Sequence, residues 1–182
     1  ALLKACDTVG AKVQFMTNVW GVDEPVIKAS GKAADGIVFV VRTSSVWTDN
    51  NKGIDLIKEV SEMSGKGDKY RSVHYISAVC TMFYMAEAMK SAITDGELNG
   101  ENIRNSMYKK EKWVPEGLEE VCLPSTWKKD DHRGLMEVPI YKVKVNGPTD
   151  KKNVDELMKT KVIQLVKEDQ ISLPRRPEWR GY

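Results

Sequence analysis

The residues able to do chemistry are few and badly placed for it. His74 and His132 are the only histidines, and neither stands in an HExxH pair or beside a nucleophile signature. Cys6, Cys80 and Cys122 form no CxxC pair. An odd count at wide spacing argues against a zinc site or a disulfide framework, and Cys80 reads as a small core residue, with a single disulfide left open. Carboxylates abound, but no pair is singled out by an apolar setting. Neither GxGxxG nor GxxxxGK[ST] occurs, and Ser64-Gly65-Lys66-Gly67 lacks the spacing and preceding strand of a phosphate loop. The expectation is no catalytic set, no metal, no cofactor and no turnover.

Binding is better served. Asn18-Val19-Trp20-Gly21 falls just past a predicted strand, at the sheet edge where open α/β folds collect ligands. There Trp20 offers a flat apolar wall and Asn18 a donor and an acceptor; alternatively Trp20 packs on the next helix. Asp23 either faces a ligand ammonium or caps that helix. Tyr75 opens a long helix, whose free N–H groups suit a ligand carboxylate; alternatively it is a core tyrosine. His74 reads as a cap or packing residue.

The element that must position these groups is the helix from Ser72 to Ile93. Ile76, Val79, Phe83, Ala86, Met89 and Ile93 recur at helical spacing, and the opposite side (Ser77, Thr81, Tyr84, Ala88, Ser91) is scarcely charged. A helix buried on most of its circumference is expected, capped by Ser72 and stopped at Asp95-Gly96. Upstream, Leu2, Leu3, Cys6 and Val9 predict a helix, Lys12 to Thr17 a strand, and Asp23 or Glu24, with Pro25 in the first turn, the start of a short helix ending at Ser30-Gly31. Gly36 to Val41 predicts a strand buried on both faces. This alternation is that of a parallel α/β sheet, and it breaks at Arg42-Thr43-Ser44-Ser45. A helix carrying Ile54, Ile57, Val60 and Met63 follows, then an exposed Ser64 to Lys69 loop. Past the long helix come a shorter one with Ile103 and Met107, a loop-rich Trp113 to Thr126, a charged turn at Asp130 to Gly134, and a strand from Glu137 to Val145 that Pro139 assigns to an edge. Asn153 to Met158 predicts a helix, Lys161 to Val166 either strand or helix, and Ile171 to Tyr182 an extended tail.

The 182 residues suit one domain or two small ones, with 41% hydrophobic and 30% charged residues. A net charge of +2 gives no argument for nucleic acid. No apolar run approaches the roughly 18 residues of a membrane span. Ala1 reads as a cut end inside a helix, and the lack of a visible signal peptide says nothing about location.

GKAADGIVFVV, a long helix opening HYISAV, DDHRG, and the strand EVPIYKVKVNG follow one another in an order that resembles the later half of a branched-chain amino-acid-type substrate-binding protein, the extracytoplasmic receptors of ABC transporters in the type I periplasmic-binding family. NVWGVDE resembles that family's ligand-facing loop in the second lobe. The resemblance covers most of residues 1 to 147. It implies an α/β fold with parts of two Rossmann-like lobes joined by hinge crossovers: residues 1–41 in the C-terminal lobe, 42–127 returning to the N-terminal lobe, 128–150 as hinge and C-terminal-lobe strand, and 151–182 as a C-terminal extension. Arg42 to Ser45 and Lys128 to Arg133 become hinge strands.

The function so implied is delivery of an amino acid or related small polar metabolite to an ABC transporter permease by hinge closure, in the periplasm or another extracytoplasmic space. Asn18, Trp20, Gly21, Asp23 and Tyr75 are the candidate ligand-binding residues. A cytoplasmic ligand-sensing regulator of the same fold is the alternative, and a flavodoxin-like enzyme the third. The resemblance also leaves the N-terminal lobe incomplete. Gly36 to Val41 is then expected to lack a parallel neighbour and the long helix to expose apolar surface, both to be covered by an upstream half or a second copy.

Overall fold

Two hydrophobic cores, each with its own sheet, divide the molecule. The computed structural model describes residues 1–65, 67, 69–174 and 178. Helix α1 (Leu2–Thr8) leads to strand β1 (Met16–Thr17), helix α2 (Glu24–Ser30), a 3-10 turn (Gly31–Ala34) and strand β2 (Val38–Val40). Helices α3 (Lys52–Met63), α4 (Val73–Asp95) and α5 (Gly100–Tyr108) come next. Strands β3 (Ser125–Lys128), β4 (Asp131–Leu135) and β5 (Glu137–Val145), helix α6 (Val154–Lys159) and strand β6 (Ile163–Ser172) complete the order.

The larger sheet runs β1-β2-β5-β6, with β1 parallel to β2 and the other neighbours antiparallel. The expected α/β rhythm is present, with several corrections. The first strand is only two residues long, and Val13 lies 57% exposed, though Phe15 C=O accepts from Val38 N–H at 3.0 Å. In β2 only Phe39 is fully covered; Val38 and Val40 are half-buried, so the strand is not enclosed on both faces. Nor does β2 lack a parallel neighbour: β1 takes one edge and β5 the other. β5 is interior, so Pro139 does not mark an edge. Its β2 pairing stops at Ile140, and a register shift follows at Ile140/Tyr141 on the β6 side, which leaves the missing N–H outside the regular ladder. The stretch beyond Lys151 carries α6, held by an Asn153–Glu156 capping box, and β6, which pairs with all of β5. Leu157 and Ile163 are wholly buried there. Most of the extended tail expected from Ile171 onward lies outside the described residues.

The second core gathers Trp47, Ile54, Ile57, Ile76, Tyr84 and Trp113, between α3, α4, α5 and the antiparallel β3–β4 hairpin. Asn51 caps α3 through Ile54 N–H, while Met63, expected on its inner face, is 88% exposed. Ser72 and Gly96 bound α4, but the Ser72 side chain makes no capping hydrogen bond. The first two residues of the predicted stripe, Ile76 and Val79, are buried, but beyond them the buried face runs through Cys80, Tyr84, Ala88 and Ala92 instead of Phe83, Ala86, Met89 and Ile93. Tyr84 turns this face inward, because its hydroxyl donates to Leu123 C=O at 2.5 Å and contacts Trp113 C=O at 3.0 Å. Trp113 and Trp127 both meet its ring edge-on. Met82, Met85, Met89 and Ile93 form a second apolar stripe that lies open, from 36% exposed at Met89 to 66% at Met82. The helix is thus not buried on most of its circumference.

Cys80 is more than a core filler. It is joined to Cys122 by a disulfide, and Cys6 is the free thiol. The bond ties α4 to the crossover where Thr43 pairs with Cys122. Closing a loop with a sequence separation of 42 is worth about 4 kcal/mol on chain-entropy grounds. Reduction, or Cys80→Ala with Cys122→Ala, is expected to lower unfolding stability by about 2–4 kcal/mol in urea titrations. Thiol counting on the unreduced protein should find one reactive cysteine.

Candidate ligand site at the junction of the two cores

β1 and β2 are parallel, so the segments after Thr17 and after Val40 leave the same edge of the sheet. That brings Trp20 and Arg42 together: the guanidinium carbon lies 4.5 Å from the Trp20 ring centroid. His74, in the first turn of α4, arrives from the second core and stacks on the same indole, with centroids 5.4 Å apart and planes at 27°. Trp20 remains 64% exposed and is not enclosed by its own core. Arg42 Nε and His74 Nδ1 are both buried without a hydrogen-bond partner among the described residues. Arg42 also borders a cavity of ≈ 270 Å³ between α4 and the β3–β4 hairpin, lined by Ser77, Thr81, Tyr84 and Met85 among others.

The loop is held from within. Trp20 N–H donates to Asn18 Oδ1 at 3.0 Å and Gly21 N–H to Asn18 C=O at 3.2 Å. Asn18 therefore spends its side-chain acceptor on the turn. Gly21 is required by close approach, since a Cβ there would lie 1.7 Å from Thr17 Oγ1. Asp23 takes the capping role: its Oδ1 accepts from Val26 N–H at 3.0 Å, with Pro25 in the first turn of α2. Tyr75 is not brought to Trp20. It packs edge-on against Trp47 and lies under Arg71, lining an open groove of ≈ 650 Å³ with Tyr70, Ser72 and Asn153. The five candidate residues thus divide between two places.

The N-terminus of α4, expected to hold a ligand carboxylate, already has one. Glu24, wholly buried, accepts from Val73 N–H at 3.3 Å on each oxygen and from Tyr70 O–H at 2.7 Å. Burial pushes its carboxyl above the ordinary value, against the lowering effect of those donors. The same burial, with the neighbouring Glu24 charge, raises Tyr70 too. Reading the sequence took Arg42 only as a hinge residue and Glu24 only as an alternative helix cap. The sheet-edge rule that picks out Trp20 applies equally to Arg42, two residues past β2; nothing local marks Glu24 as a partner of α4.

Two cores thus meet at a crossover, and aromatic and cationic groups converge between them. The chain belongs to the periplasmic binding protein family, whose model matches residues 1–152. It is similar in structure to an ABC-transporter substrate-binding protein from Aeropyrum pernix (TM-score 0.67, 17% identity, covering 97% of this chain and 42% of that one). It is also similar to a branched-chain amino-acid ABC transporter protein from Thermus thermophilus crystallised with valine (0.65, 18%, 79% and 39%). A third is a leucine-, isoleucine-, valine-, threonine- and alanine-binding protein from Brucella ovis (0.63, 18%, 94% and 40%). At these identities the likeness establishes the fold. The chain spans about two fifths of the length of these proteins. A search of curated protein sequences finds no match.

Glu24 yields a pH prediction. At low pH the carboxyl is protonated in folded and unfolded chains alike. As pH rises past the ordinary carboxylate range the unfolded chain ionises first, so the Glu24 contribution to stability falls with rising pH until the raised folded value is passed. Glu24→Gln should remove that decline, so its stability relative to the parent improves from acid to neutral pH in urea titrations. Glu24→Ala, which leaves Val73 N–H and Tyr70 O–H unpaired, should cost about 2–4 kcal/mol.

Proposed function

We propose that this chain forms the hinge-side part of an extracytoplasmic receptor that binds a small polar metabolite, an amino acid or related compound, and delivers it to an ABC transporter permease. The observation that carries the reading is the convergence of Trp20 and Arg42, from one core, with His74, from the other, on a single exposed indole. A ligand touching both cores favours their closed arrangement through contacts made only there. Arg42 to Ser45 is the first hinge segment, and residues 128–133 the second. Among the proteins it resembles, one was crystallised with valine and one is described in a closed conformation. The Cys80–Cys122 disulfide supports an oxidising, extracytoplasmic location over the regulator alternative. Among the described residues, no helix is long and apolar enough to cross a membrane.

The open stripe of Met82, Met85, Met89 and Ile93 is the second part of the proposal: in the working receptor another stretch of protein covers it, either more of the receptor or a second copy. On its own the chain should self-associate or retain a bound fragment, giving a light-scattering mass above its 20.5 kDa; a stable, cooperative monomer would count against this. For the ligand site, Trp20→Ala should weaken binding about tenfold by calorimetry while leaving the melting temperature within a few degrees. Catalytic turnover of the bound metabolite would overturn the receptor reading.

A further inference from the structure

We infer that Glu24 is the positioning residue of the candidate ligand site: its carboxyl, through Val73 and Tyr70, sets where His74 meets the Trp20 ring. The function of that site rests on the receptor reading above; the placement itself does not. Two short connections carry the argument. On one side, Glu24 follows Trp20 by four residues. Asn18 accepts from Trp20 N–H and Gly21 N–H, Val22 is buried in the first core, and Asp23 caps α2. A loop held at both ends in this way moves with α2. On the other side, Val73 and His74 are neighbours in the first turn of α4. Val73 N–H lies 3.3 Å from each Glu24 oxygen, and Tyr70 O–H donates to the same carboxyl at 2.7 Å. The Val73 side chain also packs in the first core, but apolar contact is non-directional and lets a helix turn or slide. Hydrogen bonds are directional, and an N–H shared between two oxygens fixes the helix end against the carboxyl. His74 follows directly, so a turn of α4 that breaks those bonds swings its ring off the indole, from which its centroid now stands 5.4 Å. Glu24 is wholly buried, so water does not replace a lost bond without opening the structure.

The test needs no ligand and uses the full chain. Its readout is the nitrogen–proton NMR signal of the Trp20 indole, picked out from those of the other tryptophans by Trp20→Phe. His74→Ala gives the displacement that loss of the stack produces. Glu24→Leu, which keeps the bulk and removes both acceptors, should move the signal in that direction by a comparable amount. Glu24→Gln, which keeps one oxygen for Tyr70 O–H and Val73 N–H, should leave most of the signal in place. Ile163→Ala empties a wholly buried position where β6 pairs with Val145, at the end of β5 remote from the crossover. It should lower stability in urea without moving the signal. If Glu24→Leu does not fold, Tyr70→Phe, which removes only the shortest of the bonds, decides in its place by moving the signal the same way. A signal left unmoved by the deciding variant, or moved as far by Ile163→Ala, overturns the positioning role and leaves the receptor reading standing. Failure of the receptor reading shows instead in the ligand titrations, with the Trp20 signal still following Glu24.

Discussion

One buried carboxylate holds the two cores in register. Glu24 sits at the first turn of α2, yet its oxygens accept from the first N–H of α4 and from Tyr70, which packs on both cores. Its carboxyl lies at the positive end of a 23-residue helix, which offsets only part of what burial costs the charged form. Burying a carboxylate costs several kcal/mol unless its lone pairs are used, and three hydrogen bonds use them here. The geometry matters because α2 also carries the Trp20 loop, through the Asp23 cap at its start. Fixing α2 against α4 therefore fixes Trp20 against His74. The aromatic cluster is placed by a hydrogen-bonded acid that touches none of its members.

The second core depends on a different device. It has no extended sheet among the described residues, only the β3–β4 hairpin and three helices. Tyr84 and the Cys80–Cys122 bond give α4 its rotation: the hydroxyl pairs with two loop carbonyls, and the sulfur bond anchors the next turn toward the N-terminus. Once those contacts set the buried stripe, the methionine stripe a third of a turn or more away must point outward. The open apolar face follows from the same constraints that order the core.

Much of this could be read in the residues, and the failures share a cause. Periodicity located α4, α3 and α5, Asp23 and Gly31 bounded α2, and Asn153 marked α6, because caps and spacing are local. The rotation of α4 was misread because both its faces are apolar; hydrophobicity could not separate a face that meets Tyr84's partners from one that meets nothing. Pro139 misled because interior β5 tolerates it beside a register shift, which only the pairing with β2 and β6 reveals. Of the site, Trp20 was legible from its place after a strand. Glu24 was not, since its partners Tyr70 and Val73 lie more than 40 residues away. Tyr75 was assigned by its position on α4, but its neighbour His74 points to the indole; one residue on a helix turns a side chain by about 100°.

The crossover at residues 42–45 is tied to both cores. Ser44 N–H donates to Val121 C=O at 2.8 Å and Ser45 Oγ to Glu120 C=O at 2.8 Å, which binds the crossover to the second core. Tyr141, on β5 in the first core, donates its hydroxyl to Ser44 C=O at 2.9 Å. Burial pushes that phenol up to about 12, so it remains a donor across the neutral range. The crossover is thus bonded on both sides by groups with no charge to lose. Arg42 stands at the start of this segment, with its backbone at the crossover and its guanidinium on the Trp20 ring. The Trp20 ring is thus met by Arg42 from the crossover and by His74 from α4, while Glu24 ties α2 to the same turn of α4.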